Sequence, residues 1–453
     1  MFRRVLIANR GEIALRVARA CRELGVETVA VYSTEDADSA VVRYADQAVR
    51  IGPGPARRSY SNIPAIIEAA RLSGADAIHP GYGFLSEDPD FAEVCEAEGF
   101  VFIGPPASVL ARLGDKSDAR AQMAAAGLPM LPGTPEPVES VEEAEAAAAN
   151  IGFPLIIKAV AGGGGRGMRI VETPEDLADA FAQTRADALA LFGDGRVYLE
   201  RYLRSARHVE IQILADQYGN AVSLGARDCS VQRRRQKLVE ETPPPGVPAS
   251  VVEEMGKDAV RGALAVDYVG AGTFEFLVDD ENRYYFMEIN CRIQVEHPVT
   301  EMVTGVDLVA EQLRIAAGEP LSLRQEDIVP RGAAIECRVN AEDPARGFIP
   351  TPGRLERFHT PAGPFVRVDT HAEPGYRIPP TYDPLLAKVI VWGPDRDTAI
   401  RRMARALGEF QIEGPGVRNT VDFLSRVLRD ERFRTGVHRT NLVDTLFAES
   451  EAD

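Results

Sequence analysis

Lysine is scarce in this sequence of 453 residues. Lysine and arginine together number 51, and five of these are lysines: Lys116, Lys158, Lys237, Lys257 and Lys388. Arginine fills the other basic positions, although its planar guanidinium does not replace the compact, mobile ammonium group of lysine. We therefore expect the remaining lysines to mark positions where the chemistry needs that group.

Cysteine is also sparse, and its five copies show no C-x-x-C spacing. Such a set is typical of free thiols in a reducing compartment, so we expect a cytoplasmic protein without a disulfide framework or zinc site. The net charge of −17 and the pI of about 5.0 argue against nucleic acid or an anionic membrane as a partner. No apolar run approaches the length of a membrane span, and the first one is too short for a signal peptide.

Glycine, by contrast, is concentrated in one segment, "LIIKAVAGGGGRGMRIV" at residues 155–171. The apolar runs on both sides predict two strands joined by a glycine-rich loop. The loop lacks the Gly-Lys-Ser/Thr of a P-loop, and no helix follows at once. Its bare backbone N–H groups can crowd an anion, which favours a phosphate-covering flap between Lys158 and Arg166. A slack hairpin without a ligand is the alternative.

The order of predicted elements divides the chain into regions. An apolar run, a helical spacing from Ile13 to Leu24 and the strand "TVAVYS" form a βαβ start, which predicts a doubly wound parallel α/β domain over residues 1–114. Gly11 stands alone after the first strand, so a dinucleotide fingerprint is absent. From about residue 331 the pattern changes to short strands and two late helices, which predicts a separate C-terminal α+β domain.

Two acidic residues and an amide lie on a predicted hairpin. Glu275 interrupts the apolar strand "FEFLV", while Glu288 and Asn290 lie two apart on "YYFMEIN" and therefore share a face. A buried carboxylate needs a cation or a donor, and two carboxylates with an amide oxygen suit Mg²⁺ and its nucleotide phosphates. A surface pair of carboxylates matched with arginine is the alternative.

Further polar groups lie on either side of this hairpin. Arg292, Gln294 and Glu296 alternate in "NCRIQVEHP", and a fixed guanidinium beside a carboxylate suits a small planar anion held near a base. Residues 232–237 are basic within an acidic chain, which favours phosphate or another small anion over a plain surface loop. His208 remains open between a structural role and a nucleotide contact.

Taken in order, these segments resemble the ATP-grasp enzymes and, closely, the biotin carboxylase family. The matching stretches run from residue 5 to about 388 and include "IANRGEIALR", "IHPGYGFLSE", "IIKAVAGGGGRGMR", "RDCSVQRR", "GAGTFEF", "MEINCRIQVEHPVTE", "ECRVNAEDP" and "YDPLLAK". The resemblance implies an ATP-grasp domain over residues 115–330, with a mobile lid at about 130–203. It implies a C-terminal domain over residues 331–446.

The resemblance also implies a role for each candidate residue in the ATP-dependent carboxylation of biotin. A divalent ion, Mg²⁺ or Mn²⁺, would be held by Glu275, Glu288 and Asn290. ATP would be bound by Lys116, Lys158, Gly164, Gly165, Glu200, Leu203, His208, Arg235, Glu275 and Glu288. Bicarbonate would be held by Lys237, Arg292, Gln294 and the backbone of Val295. Biotin would contact Tyr82 and Arg338, and the catalytic residues would be Arg292, Glu296 as the base and Arg338 for the enolate.

One departure from the family pattern lies at position 235. The family usually has Gln-Arg-Arg-His-Gln-Lys here, whereas this chain has Arg235 in place of the histidine. A titratable ring near the nucleotide is thereby replaced by a permanent, longer cation. We expect this change to alter nucleotide affinity or turnover and to leave the fold intact.

The chain ends without the Met-Lys-Met motif of a biotinylated domain. The resemblance therefore implies a homodimeric subunit that works with a biotin carboxyl carrier protein and a carboxyltransferase subunit. Acetyl-CoA carboxylase in fatty acid synthesis is the first expectation, and propionyl-CoA or pyruvate carboxylase is the alternative. A carbamoyl-phosphate-type or amino-acid ligase shares the flap and the carboxylates but not "RIQVEHPVTE" with "ECRVNAEDP". A nucleotide-binding regulatory paralogue is suggested by Arg235 alone.

Overall fold

The computed structural model describes residues 1–161 and 167–452 of the chain. Its N-terminal region alternates strands with helices, as the βαβ pattern predicts. The elements are β1 (Arg4–Ile7), α1 (Gly11–Glu23), β2 (Glu27–Ser33), α2 (Ala40–Tyr44), β3 (Gln47–Gly52), α3 (Ile63–Ser73), β4 (Ala77–His79), α4 (Pro89–Ala97), β5 (Val101–Phe102), α5 (Ala107–Gly114) and α6 (Lys116–Ala125). The strands are parallel in the order β3-β2-β1-β4-β5, so the winding reverses between β1 and β4.

A smaller unit follows, with two helices against one sheet. Its elements are α7 (Val141–Ile151), β6 (Leu155–Ala159), β7 (Met168–Val171), α8 (Leu177–Phe192) and β8 (Val197–Arg201). The sheet is antiparallel in the order β7-β6-β8, and β6 pairs with β7 from Leu155 opposite Val171 to Lys158 opposite Met168. The predicted pair of strands around the glycine loop is therefore confirmed, while Gly164 and Gly165 lie outside the described residues.

The central region is dominated by long antiparallel strands. Its elements are β9 (Arg207–Ala215), β10 (Ala221–Arg233), β11 (Gln236–Thr242), α9 (Ala249–Ala265), β12 (Gly270–Val278), β13 (Tyr284–Asn290), α10 (His297–Thr304) and α11 (Leu308–Ala316). Apolar side chains of β12 and β13, among them Phe274 and Phe286, join Leu6 of β1 and Phe91 of α4 in one buried cluster. The N-terminal region and the central sheet thus share a core.

The C-terminal region adds short strands and four helices. Its elements are β14 (Ala333–Asn340), β15 (Glu342–Asp343), β16 (Ile349–Pro350), β17 (Gly353–Arg354), β18 (Arg357–His359), β19 (Val366–Thr370), β20 (Arg377–Ile378), β21 (Leu385–Gly393), α12 (Arg396–Glu409), β22 (Gln411–Glu413), α13 (Val421–Arg429), α14 (Glu431–Arg434) and α15 (Leu442–Ala452). Three of these strands extend the central sheet, whose order is β13-β12-β9-β10-β11-β14-β21-β19. The sheet therefore continues without a break across the change of sequence pattern near residue 331.

The outcome agrees with the predicted fold class. A parallel, doubly wound N-terminal sheet precedes an antiparallel central sheet with a small lid-like unit, and an α+β region follows. Within the described residues, no helix combines the length and the apolar character that crossing a bilayer requires.

Candidate active site

Lys237 lies at the centre of a group of buried carboxylates. Its Nζ is 2.6 Å from Glu210 Oε2, 3.0 Å from Glu275 Oε1 and 2.6 Å from Glu296 Oε1. Burial alone would lower the pKa of Lys237, but the three carboxylates outweigh it and raise the pKa well above its usual value. A charged, compact ammonium is therefore fixed here, at one of the few lysines of the chain.

Glu296 is held between that ammonium and Arg338. Arg338 donates from Nη2 to Glu296 Oε2 at 2.9 Å and from Nε to Glu240 Oε1 at 2.6 Å. Burial favours protonation of Glu296, but Lys237, Arg338 and Arg227 outweigh it and hold the pKa of this carboxyl well below its usual range. At Glu240 burial prevails over Arg338 and raises the pKa to about 7. Glu296 is thus a charged oxygen base beside two cations.

Arg292 is fixed by four hydrogen bonds of its guanidinium, one of them to the carbonyl of Ile293 at 3.3 Å. It donates to Glu87 Oε2 at 2.8 Å, to Asn290 Oδ1 at 3.1 Å and to Gln294 Oε1 at 3.0 Å. The predicted strand-like alternation through Glu296 is wrong, because β13 ends at Asn290 and the next residues form bends and turns. Gln294 still meets Arg292, whereas Glu296 reaches its cations through a turn.

The predicted hairpin places its acidic residues directly across from each other. Glu275 of β12 is the register partner of Glu288 of β13. Glu275 Oε2 lies 2.9 Å from His208 Nε2, and its Oε1 accepts a hydrogen bond of 2.8 Å from Asn290. Burial opposes protonation of His208, but the charge of Glu275 and its hydrogen bond outweigh this effect and raise the pKa of the ring. His208 therefore contacts the predicted ion site directly.

These residues fit a divalent cation with oxygen ligands. Glu275 is buried, yet Lys237 and His208 keep its pKa well below the usual value, so it carries charge. The Glu288 side chain is 40% exposed, and its Oε2 lies 3.4 Å from Lys116 Nζ. Two carboxylates on neighbouring strands, one of them open to solvent, are the hard donors that Mg²⁺ prefers.

The residues expected to bind the nucleotide lie around helix α6. Lys158 of β6 and Arg120 of α6 both form ion pairs with Glu200 at the end of β8. Lys116 lies one turn before Arg120 on the same helix face and meets Glu288. The peptide N–H of Leu203, just beyond β8, donates to no acceptor within the described residues. The lid-like unit and the carboxylate hairpin therefore face each other across α6.

Arg235 lies in a conformation that is unusual for its residue type. The connection between β10 and β11 consists of Arg234 and Arg235, with φ of 47° and 68°. This left-handed pair is the geometry of a tight hairpin turn, in which Asn and Gly are favoured. The guanidinium of Arg235 lies 3.7 Å from the sulfur of Met168, the first residue of β7. Burial lowers the pKa of Arg235, and this effect outweighs the opposite effect of Tyr202 and Glu288, which raise it.

Arg235→His is expected to make ADP binding depend on pH. The guanidinium stays charged at every working pH, whereas an imidazole titrates near about 6.5. The variant should therefore lose more ADP affinity at pH 8, where the ring is neutral, than at pH 6. Calorimetric titration of both proteins at the two pH values measures this difference. Equal losses at both values would mean that Arg235 makes no contact with the phosphates.

A cavity of about 390 Å³ connects this cluster to the N-terminal domain. Tyr82, Lys237, Val295 and Arg338 all line it, so both residues implied for biotin share one space with two of the four implied for bicarbonate. The carbonyl of Val295 accepts a hydrogen bond of 2.9 Å from Lys388, while its N–H has no acceptor within the described residues. The Val295 backbone can therefore still donate to a ligand.

Several site residues were not predicted from the sequence. Arg227 is fully buried and bonds to Glu210, Gln212 and the hydroxyl groups of two threonines. Glu240 and Glu87 fix Arg338 and Arg292. A signal was present for Glu210: polar side chains occupy every second position of "RHVEIQ", a pattern that requires buried partners in so apolar a strand.

The fold and the site together define a class of protein. A lid with a glycine-rich hairpin faces an antiparallel sheet that carries paired carboxylates, and both meet around lysines suited to phosphate. This is the arrangement of a nucleotide-dependent ligase of the ATP-grasp type, as the sequence resemblance implies.

Comparisons with known proteins identify the family within that class. Three family models match in succession: the biotin carboxylase N-terminal domain at residues 1–110, the carbamoyl-phosphate synthase L chain ATP binding domain at 115–324 and the biotin carboxylase C-terminal domain at 336–445. Biotin carboxylase 1 of Bacillus subtilis is 53% identical over 98% of this chain and 99% of its own length. The chain belongs to the biotin carboxylase family.

Two further similarities bear on the setting of the enzyme. A pyruvate carboxylase subunit of Methanothermobacter thermautotrophicus is 50% identical over 98% of this chain and 90% of its own length. The crystal structure of the biotin carboxylase domain dimer of Hydrogenobacter thermophilus 2-oxoglutarate carboxylase, in complex with MgADP, ADP and bicarbonate, is 46% identical with a TM-score of 0.93. That similarity covers 98% of both chains.

Proposed function

We propose that this protein carboxylates biotin on a carrier protein, using ATP and bicarbonate. One observation carries the proposal: Lys237 and Arg338 line a single cavity, the buried Glu296 is hydrogen-bonded to both of them, and Lys237 also contacts Glu275 of the Glu275 and Glu288 pair. A small anion, a base and a biotin ring can therefore be held within reach of a nucleotide.

The nucleotide end of the site supplies charge and orientation. Lys116 and Lys158 bind the phosphates, and the glycine-rich segment with Gly164 and Gly165 covers them. Glu200 and the peptide N–H of Leu203 hold the base, with His208 and Arg235 as further contacts. Glu275, Glu288 and Asn290 would hold Mg²⁺ or Mn²⁺, which would neutralise phosphate charge. We assign the lid to residues of about 130–203 within a domain over 115–330, between domains over 1–114 and 331–446.

The first step joins bicarbonate to the γ-phosphate. Lys237, Arg292, Gln294 and the Val295 N–H orient bicarbonate, and the charged oxygen of Glu296 takes its proton. The freed oxygen forms a bond to the γ-phosphorus while the bond to the β-phosphate oxygen breaks, which gives carboxyphosphate and ADP. A carboxylate whose pKa is held low by Lys237 and Arg338 is unprotonated before this step, while the same two cations weaken it as a base.

The second step transfers the carboxyl group to biotin. Carboxyphosphate splits into CO₂ and phosphate, and the phosphate takes the proton from the ring nitrogen of biotin. The resulting enolate attacks CO₂ through that nitrogen. Arg338 lines the cavity together with Tyr82, so its guanidinium can donate to the enolate oxygen as negative charge develops there.

The test of this function is ATP hydrolysis that requires bicarbonate and that rises on addition of free biotin. ATP hydrolysis without a bicarbonate requirement would favour another ATP-grasp ligase. Nucleotide binding without any hydrolysis would favour a regulatory paralogue, the possibility raised by Arg235.

Arg338→Ala is expected to spare ADP binding and to lower biotin carboxylation by about a hundredfold, the size of effect seen when one oxyanion donor is lost. The ratio of biotin-stimulated to biotin-independent ATP hydrolysis in the same preparation measures the effect and corrects for any loss of folded protein. Normal carboxylation, or loss of ADP binding instead, would contradict the assigned role.

The remaining assignments concern the setting of the enzyme. We propose a homodimer that works in the cytoplasm with a carrier protein and a carboxyltransferase subunit. Acetyl-CoA carboxylase is the first candidate for the assembly. The supporting observation is that this chain is similar over its full length to a protein whose name gives no activity other than biotin carboxylase. A pyruvate carboxylase is the second candidate, because one component of such an enzyme is also similar. Isolation of the native complex and assay with each acyl acceptor distinguishes them.

A further inference from the structure

The second end of the cavity, formed at the start of α1, has no role in the proposed chemistry, and its Glu12 accepts a hydrogen bond from the hydroxyl of Tyr82. It is lined by Arg10, Gly11, Glu12 and His371. These residues lie beyond the carboxyl end of β1, where the winding of the parallel sheet reverses between β1 and β4. Crevices at this position are the usual ligand sites of doubly wound sheets.

Helix α1 begins at this end of the cavity without a side-chain cap. Arg10 occupies the capping position, and its side chain makes no capping hydrogen bond. The N–H groups of Gly11, Glu12 and Ile13 have no acceptor within the described residues, although all three residues are buried. Unpaired donors at a helix start attract an oxygen acceptor.

His371 adds an independent donor at the same place. It is 7% exposed, its Nδ1 has no partner within the described residues, and a Cβ at Gly11 would lie 3.6 Å from that nitrogen. Tyr376 Oη accepts from Arg10 Nη2 at 3.3 Å and lies 3.1 Å from His371 Nε2. A hydroxyl can donate one proton while it accepts, so Tyr376 can donate to Nε2 while it accepts from Arg10, and in that tautomer the ring proton of His371 is on Nδ1.

Glu12 supplies the opposite partner. Its Oε1 meets Lys388 Nζ at 3.0 Å, while its Oε2 is buried with no hydrogen bond to any described residue. Glu12 directly follows Gly11, so an unused acceptor lies one residue from the unused donor of His371. A buried polar atom without a partner costs free energy, and here two complementary ones border one cavity.

We infer that this end of the cavity is a subsite for a secondary amide, whose C=O accepts from His371 Nδ1 and the start of α1 and whose N–H donates to Glu12 Oε2. The inference rests on the proposed function, which places the biotin ring at Arg338 in the same cavity. The amide is then the one that joins the acyl chain of biotin to the lysine of its carrier.

The local charges favour a neutral amide over a free anion. The Arg10 guanidinium is matched by Asp36 through two hydrogen bonds of 2.8 Å, and Glu12 is matched by Lys388. Burial and the charge of Arg10 lower the pKa of His371 to about 3, so its ring is neutral. A carboxylate, such as that of free biotin, would be repelled by the negative charge of Glu12. The subsite therefore discriminates carrier-linked biotin from free biotin.

The experiment compares biotinyl-lysine with free biotin as the substrate of the intact protein. His371→Leu should raise the KM for biotinyl-lysine about fivefold, the effect of one lost hydrogen bond of about 1 kcal/mol. His371→Asn should restore most of the affinity, because its amide N–H can take the place of Nδ1–H. Glu12→Gln should bring the KM for biotinyl-lysine closer to the KM for free biotin. His359→Leu, at an exposed histidine on β18, is the matched control.

The outcomes separate this inference from the proposed function. An unchanged KM for biotinyl-lysine in His371→Leu, or an equal rise in the KM for ATP, would overturn the subsite. A change in the KM for bicarbonate or in inhibition by inorganic phosphate alone would assign this end to a free anion and would also overturn it. If the unmodified protein shows no biotin-stimulated hydrolysis at all, the proposed function itself fails.

Discussion

Lys237→Met is expected to abolish bicarbonate-dependent ATP hydrolysis and to lower the free energy of unfolding by about 3–5 kcal/mol. Methionine has a similar length but no charge, so Glu210, Glu275 and Glu296 would lose the ammonium that each of them contacts. Breaking a buried ion pair leaves uncompensated charge in a medium of low dielectric constant, which is the source of the large loss. Urea denaturation and a bicarbonate-dependent hydrolysis assay measure the two effects.

The control for this change is Lys257→Met, the same substitution at an exposed lysine. The Lys257 side chain is 69% exposed and pairs with Glu253 one helical turn away. We expect the free energy of unfolding to change by no more than about 0.5 kcal/mol, with hydrolysis intact. A Lys237→Met protein that remains folded and keeps its bicarbonate dependence would remove Lys237 from the bicarbonate site.

Glu288→Gln is expected to lower turnover at ordinary Mg²⁺ by at least about a hundredfold, since it removes one anionic ligand from a site with two carboxylates. The fold should be unaffected, because the Glu288 side chain is 40% exposed. Steady-state rates over a range of Mg²⁺ concentrations measure the effect, and a partial recovery at high Mg²⁺ would identify weakened metal binding as its cause.

Glu281→Gln is the matched control for the ion site. Glu281 lies in the turn of the same hairpin, with a side chain that is 67% exposed and paired with Arg283. The control should have normal turnover at every Mg²⁺ concentration. Near-normal hydrolysis by Glu288→Gln at ordinary Mg²⁺ would exclude Glu288 from the metal site.

The carboxylate hairpin was predictable because its geometry is local. Side chains alternate along a strand, so Glu288 and Asn290 share a face, and the turn "DDENR" brings their strand beside that of Glu275. The direct pairing of Glu275 with Glu288 depends on a shift of register between Glu275 and Phe276, which the sequence does not display. The importance of Lys237 was also predictable, from the rarity of lysine in an arginine-rich chain. These inferences depend on residue types and short spacings, which a sequence displays directly.

The rest of the site depends on contacts between distant parts of the chain. Arg338 meets Glu296 across 42 positions, and Arg292 meets Glu87 across 205 positions. No periodicity encodes such pairs, because they follow from the order of strands in the sheet and from the packing of the N-terminal domain. The end of β13 at Asn290 has the same origin: the N–H of Cys291 donates to Glu87 of the other domain and leaves the ladder.

The continuity of the central sheet limits how the chain can be divided. β11 pairs with β14 from Val239 opposite Cys337 to Thr242 opposite Ala334, across the boundary in sequence pattern. A fragment that ended near residue 330 would keep the pairing of β11 with β10 but would leave unpaired the N–H and C=O groups of β11 that face β14, along a strand rich in buried residues. Such an open edge recruits strands from other molecules, so we expect a fragment of residues 1–330 to aggregate more readily than the whole chain.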